Sequence, residues 1–208
     1  MAEARSTRRT RANGEESRRK ILDAAVEVAS ERGYEGTSIA TVSARSGLPA
    51  SSIYWHFKDK DELIAAVIER SFGTWLAAVS IPDGDSTRER VRAMAAQIAK
   101  SLLDSPDFLR LGLMLALERR PEEPTARTMF LKVRAQAVAR MSEAIREFAP
   151  DLDDQAVHLL VTYGMAAADG LFIAKELGGD SVNLPRLFDL HALLVLDAAT
   201  HLLAGDLT

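Results

Sequence analysis

Apolar residues along this chain recur three and four positions apart, the interval that places side chains on one face of an α-helix. The first such set is Ile21, Leu22, Ala25, Val28 and Ala29, which starts after Asn13 and Glu16 and stops at Gly33. After Tyr34-Glu35-Gly36 a second helix opens at Thr37 or Ser38, with Ile39 and Val42 as its inward residues. Gly47 closes it, because a residue without Cβ enters the left-handed region cheaply. Pro49 then opens a very short third helix that turns Ile53 and Phe57 inward. Asp59 and Glu62 make a capping box for a fourth helix, through Leu63, Val67, Ile68, Phe72 and Trp75 to the turn residues 81–85.

The pattern continues to the end of the chain. Ser86 and Glu89 cap a helix through Val91, Met94, Ile98 and Leu102, which Ser105-Pro106 ends. A largely apolar helix runs from Asp107 to Arg119, and the charged, proline-bearing segment 119–124 reads as a surface connection. Another helix spans Thr125 to Phe148. Two more follow, one with acidic caps at Asp151, Asp153 and Asp154 and one started by Pro185. The expectation is an all-α chain of about nine helices, divided into a flexible basic arm (1–14), a three-helix unit (15–60) and a larger helical domain (61–208).

With no cysteine, disulfides, zinc-thiolate sites and thiol nucleophiles are excluded. No uninterrupted apolar run approaches the ~20 residues of a membrane span, and Met1 to Arg5 lead into polar sequence, so a cytoplasmic protein without a membrane partner is expected. The net charge of -4 conceals a division: residues 1–60 hold 11 Lys and Arg against 8 Asp and Glu, and the remainder 15 against 22. Arg5, Arg8, Arg9, Arg11, Arg18, Arg19 and Lys20 concentrate the excess at the front. A cationic front on an anionic body orients a molecule on a polyanion, the alternative being a solvated tail.

The third helix is too short to bury much, so its outward residues Ala50, Ser51, Ser52, Trp55 and His56 are available for binding. Small and hydroxyl-bearing residues at the front, with an aromatic and an imidazole behind, suit a helix pressed into a DNA groove. The capping hydroxyl of Thr37 or Ser38, with the free amides beside it, makes a phosphate seat. This helix carries no Arg, Asn or Gln, so bidentate base recognition is unavailable there. Selectivity is expected from thymine methyls, from DNA shape and from Arg5, Arg8, Arg9 and Arg11 entering a narrow minor groove.

Thr37 to Val42, Ser46-Gly47-Leu48-Pro49 and Ile53 to Leu63 together resemble the helix-turn-helix of the tetracycline-repressor (TetR) family of bacterial regulators, over roughly residues 15–65. The resemblance implies that Ser52 and Tyr54 meet base edges or phosphates, and that Trp55, His56 and Lys60 bind the DNA backbone. Trp55 as a half-buried core aromatic and His56 as a plain helix-ending residue stand as alternatives. Ala50 and Ser51 occupy places where longer or more polar residues are often found. A homodimer on a partly palindromic duplex is expected, acting as a repressor by the family's habit.

Gly164, Ala167, Ala168 and Leu171 lie in a stretch of small residues that admits another helix backbone, and the last helix is apolar around most of its circumference. With Leu190, Leu194, Asp197 and His201 they form the candidate subunit interface. The resemblance implies a four-helix dimer contact there, and intrachain core is the alternative. Phe72, Trp75, Met94, Phe108, Met114, Phe130 and Tyr163 exceed what a dimerisation stalk needs. Stripes at helical spacing are mostly packing, yet the resemblance implies that some of these line a pocket for a small, largely apolar effector. Binding there would mis-space the two reading heads through the helix beginning at Asp59. The other readings are a DNA-coating protein without effector and a metal-dependent enzyme using Asp197 and His201. Against the enzyme, the chain lacks G-x-S-x-G, phosphate-loop and H-E-x-x-H motifs, and no metal or cofactor is expected.

Overall fold

The structure, a computed structural model, describes the backbone of residues 2–78, 82–118 and 124–206, with side chains from residue 13 onward except 77 and 78. These residues form nine α-helices and one 3-10 turn, with no strand among them. The helices are α1 (Ala2–Gly36), α2 (Ile39–Ser46), α3 (Ala50–His56), α4 (Lys60–Ala78) and α5 (Thr87–Asp104), then α6 (Asp107–Leu117), α7 (Thr125–Phe148), α8 (Asp154–Gly178) and α9 (Leu184–Ala204). Most of the expected caps are in place. Ser86 Oγ accepts from the Glu89 amide and Asp153 from the Ala156 amide. Asn183 caps α9, and Pro185 falls within its first turn as expected.

Two boundaries differ from the sequence reading. α1 continues back to Ala2 through the segment expected to be a flexible arm. That stretch contains no proline, and its Ala and Arg are strong helix formers, so nothing local stops the helix before Gly33, where φ 66 breaks it. The connection at 119–123 lies outside the described residues, as do the side chains of Arg5, Arg8, Arg9 and Arg11.

The chain divides into two compact units, Met1–Phe72 with Asp107–Lys132, and Gly73–Pro106 with Val133–Thr208, instead of breaking at residue 60. In the first unit α6 and the start of α7 join the reading helices through specific contacts. Ser30 Oγ donates to Asp107 Oδ1 at 2.5 Å, and the Phe72 and Phe108 rings meet edge to face at 6.1 Å. Asp61 accepts from the amides of Thr125 and Ala126. Ile21, Leu22, Ala25, Val28 and Ala29 of α1 are all buried, as are Val42, Ile53, Phe57, Leu63, Val67 and Ile68. Phe130 is buried against Gly112.

The second unit packs α5, the rest of α7, α8 and α9. Its core includes Met94, Ala99, Leu102, Val157, Leu160, Phe172, Phe188 and Ala192. Arg92 grips Asp189 through two nitrogens, joining α5 to α9, and Arg134 does the same to Asp169, joining α7 to α8. The stretches Asp154–Ser181 and Leu184–Ala204 reach a mean hydropathy of 1.5 over a length sufficient to cross a membrane, with only 22% and 11% of those windows buried. Their charged residues are few and widely spaced, which is why no single uninterrupted run revealed them. Asp169 and Asp189, one on each helix, are nevertheless committed to ion pairs with arginines of α7 and α5.

Candidate nucleic-acid interface

The turn between α2 and α3 is built as its residues require. Gly47 adopts φ 70 and ψ 11, and its amide returns to the Ser43 carbonyl at 3.1 Å. Only glycine enters this left-handed region without strain. Ser43 Oγ donates to the Leu48 carbonyl at 2.7 Å, holding the turn from the other side. Pro49 sits at the cap of α3, one position earlier than a first helical residue, with φ -64. Ile53 is fully buried and Phe57 nearly so, and these two anchor the short helix.

Around that anchor the remaining side chains face outward. Trp55 is 75% exposed and Tyr54 58% exposed, which removes the core-aromatic alternative for Trp55. Ser51 is exposed at the tip of the helix, with Ala50 and Ser52 half-buried beside it. The half-buried His56 meets Trp55 edge to face at 4.5 Å. Burial, with the neighbouring Arg18 charge as the smaller cause, holds the His56 imidazole below its ordinary pKa.

Arg18 was counted in the basic front but not placed in the sequence reading. Its guanidinium lies over the Phe57 ring at 5.4 Å. One turn earlier, Gly14 lies so close to Trp55 that a Cβ there would stand 3.5 Å from the indole. Gly14 and Arg18 thus present one face of α1 to the end of α3. Lys58, also unassigned by the motif, is exposed in the step between α3 and α4. Its only sequence signal is its position outside the helices beside the buried Phe57.

Two expected contacts are corrected. Thr37 is buried to 1%, and its hydroxyl donates to the Gly33 carbonyl at 2.7 Å, so it closes the α1 to α2 connection and is not presented to a ligand. Ser38 is the true cap, exchanging hydrogen bonds with Thr41: its hydroxyl accepts from the Thr41 amide while Thr41 Oγ1 accepts from the Ser38 amide. Lys60 is held within the protein. Its ammonium donates to the Tyr34 carbonyl at 3.2 Å and lies 4.2 Å from the centre of the Tyr34 ring, with Glu35 at 3.8 Å. Arg45 is likewise committed, forking onto Glu31 and reaching Glu27, which raises its pKa and ties α2 to α1.

Residues 21–67 match the family model described as bacterial regulatory proteins, tetR family. Over this stretch the chain is similar to the tetR family. The chain is 38% identical over 64 residues to the HTH-type transcriptional regulator AcrR of Shigella flexneri, a match that spans 30% of that protein. The HTH-type transcriptional repressor AcnR of Corynebacterium diphtheriae is 26% identical over 179 residues, covering 83% of this chain and 88% of the relative. The same fold occurs in FadR from Bacillus subtilis, solved in complex with stearoyl-CoA, with a TM-score of 0.71, 18% identity, and coverage of 86% of this chain and 97% of that one. The chain thus spans about a third of the AcrR relative and most of the AcnR one.

The candidate pocket residues of this chain are divided between its two units. Phe72, Phe108, Met114 and Phe130 belong to the first, where Phe72 faces Phe108, Phe130 fills the space beside Gly112, and Met114 is half exposed next to Gly33. Trp75, Met94 and Tyr163 belong to the second, the first two buried and Tyr163 47% exposed beside the His191 ring.

The candidate interface residues fall into two sets. Leu190 and Leu194 are 52% and 48% exposed, so they are not core of the single chain, and Asp197 and His201 are exposed with them. Ala167, Ala168 and Leu171 are half-buried. Gly164 serves an intrachain approach, since a Cβ there would lie 4.0 Å from the His191 ring nitrogen Nε2. Thr87 and Arg88 of α5 and Leu193, Leu194, Leu196, Asp197 and Thr200 of α9 line an open groove of ≈ 540 Å³, which none of the expected pocket residues touches. His201 pairs with Asp206 at 3.0 Å and stands 3.8 Å from Asp197. Among the described residues no three His, Asp or Glu side chains group as metal ligands would.

Proposed function

We propose that this protein is a DNA-binding transcriptional regulator, a repressor that grips a partly palindromic operator as a homodimer and is released by a small, largely apolar effector. The observation that carries the reading is α3 itself. A seven-residue helix is anchored by Ile53 and turns Ser51, Tyr54 and Trp55 outward, with Lys58 exposed just beyond it. Ser38 and the first turn of α2 supply a phosphate seat nearby in sequence. One such head reads too few base pairs for selective binding, so two are required.

The apolar faces of α8 and α9 support dimerisation. Leu159, Tyr163, Ile173, Leu177, Leu190, Leu194 and Leu203 are all at least 41% exposed, apolar side chains on these two helices that a second copy would cover. Pairing two copies through these helices buries them, and the resulting protein works in the cytoplasm where the chromosome lies. A protein of like fold bound to stearoyl-CoA makes long-chain acyl thioesters the first effectors to test. Selection of duplexes from random DNA, followed by footprinting, tests the whole reading. A discrete, two-fold symmetric protected site whose affinity falls steeply with salt is expected. Uniform coating, or no binding at low salt, overturns it.

A further inference from the structure

We propose that Asp61 is a positioning residue that sets the direction of the reading helix by locking it to the first turn of α7; the inference rests on the DNA-binding reading above. Its carboxylate gathers three hydrogen bonds from two other elements. Tyr34 Oη at the end of α1 donates to Oδ1 at 3.0 Å, as does the Ala126 amide at 3.2 Å, while the Thr125 amide donates to Oδ2 at 2.5 Å. Thr125 and Ala126 are the first residues of α7, so the carboxylate caps that helix from outside the α7 sequence and places its charge on the positive end of the helix dipole.

The step from α3 to Asp61 is short and held by several backbone hydrogen bonds. The Phe57 amide returns to the Ile53 carbonyl at 2.9 Å, closing α3. The Lys58 amide donates to Glu62 at 2.6 Å, and the Glu62 amide donates to Asp59 at 2.9 Å, opening α4. The amides of Phe57, Lys58, Glu62 and Leu63 are therefore tied across the step, so that α3 moves with the first turn of α4. That turn in turn moves with the start of α7. α7 continues to Phe148, beyond the unit that contains α3. A shift of α7 along its axis then acts on Asp61, and through it on the angle at which Tyr54 and Trp55 meet DNA. Because two heads must fit successive grooves at once, a small change of angle appears as a change in the preferred half-site separation.

The test uses the full-length protein and duplexes selected by the wild type from random DNA, together with copies lengthened or shortened by about two base pairs between half-sites. Wild type is expected to prefer its selected spacing by about 100-fold. In D61N, affinity for the selected duplex falls about tenfold and the spacing preference narrows to about tenfold or less, while the salt slope is unchanged because no phosphate contact is lost. Y34F, which leaves both amide bonds, shifts the ratio in the same direction by a smaller factor. If both variants retain the wild-type ratio, or weaken every duplex equally, Asp61 serves only stability and the inference is overturned. Should circular dichroism show D61N unfolded, Y34F alone decides, and an unchanged ratio overturns the inference. Failure of the wild type to select any duplex counts against the DNA-binding reading instead.

Discussion

Phe130 on α7 lies so close to Gly112 on α6 that a methyl group on the glycine would stand 2.0 Å from the ring. Phe130 is 2% exposed and has no room to withdraw. Helix propensity alone favours Gly112→Ala by up to ~1 kcal/mol, but overpacking of this kind costs ~1 to 3 kcal/mol, so the clash wins. Thermal denaturation of G112A is expected to show a lowered midpoint. A raised midpoint would mean that Phe130 can yield to a methyl group on Gly112.

Trp55→Ala separates binding from folding. The side chain is three-quarters exposed, so its loss costs ~0.5 kcal/mol or less of stability. Loss of a central DNA contact costs ~1 to 3 kcal/mol of affinity, about five- to 150-fold. Denaturant unfolding and anisotropy titration on the same preparations check both halves.

Lys58→Ala tests the cation that the motif did not assign. If Lys58 neutralises one phosphate in each protomer of a dimer, the slope of log affinity against log salt falls by about 1.8 in magnitude, since each phosphate contributes about 0.9. An equal loss of affinity at all salt concentrations would place Lys58 away from the backbone.

His56 gives opposite pH trends in stability and binding. Burial, with the Arg18 charge second, depresses its pKa in the folded state, and burial likewise depresses that of His191. An unfolded histidine titrates near ~6.5, so below that pH the unfolded chain binds more protons and stability falls with acid, down to the folded-state values. A phosphate beside His56 raises its pKa instead, so DNA binding takes up a proton and affinity rises as pH falls through the same range. H56Q is expected to abolish most of the pH dependence of affinity, while leaving the part of the stability trend that belongs to His191.

Replacing Leu190 and Leu194 together by Arg puts two charges into the exposed apolar face of α9. The double variant is expected to be a folded monomer by light scattering and circular dichroism, with DNA affinity reduced by ~100-fold or more, as a single head binds almost nonspecifically. A variant that remains dimeric would remove α9 from the interface.

The helices and the short reading element were legible because their signals are local. Gly47, Pro49, Ile53 and Phe57 carry the turn, the start and the anchor of α3 within a few residues of one another. What was illegible depends on distant partners or on adjacent alternatives. Thr37 and Ser38 are both good caps, and only the Gly33 carbonyl, reached through the left-handed break, decides that Thr37 turns inward. Lys60 reads as a free cation until Tyr34 folds beneath it. Asp61 reads as a first-turn acid of α4, because nothing near it announces the amides of Thr125 and Ala126. The seven aromatic and methionine positions have the same helical spacing whether they face a ligand or a neighbouring helix, so periodicity alone does not sort them.

Of the residues in α3, only Ile53 is buried. The positions at its tip therefore carry almost no share of the fold's stability, and replacing them leaves the scaffold as sound as before. A lineage carrying this frame is free to change which genomic addresses it recognises by exchanging a few surface groups, without first rebuilding the protein that displays them.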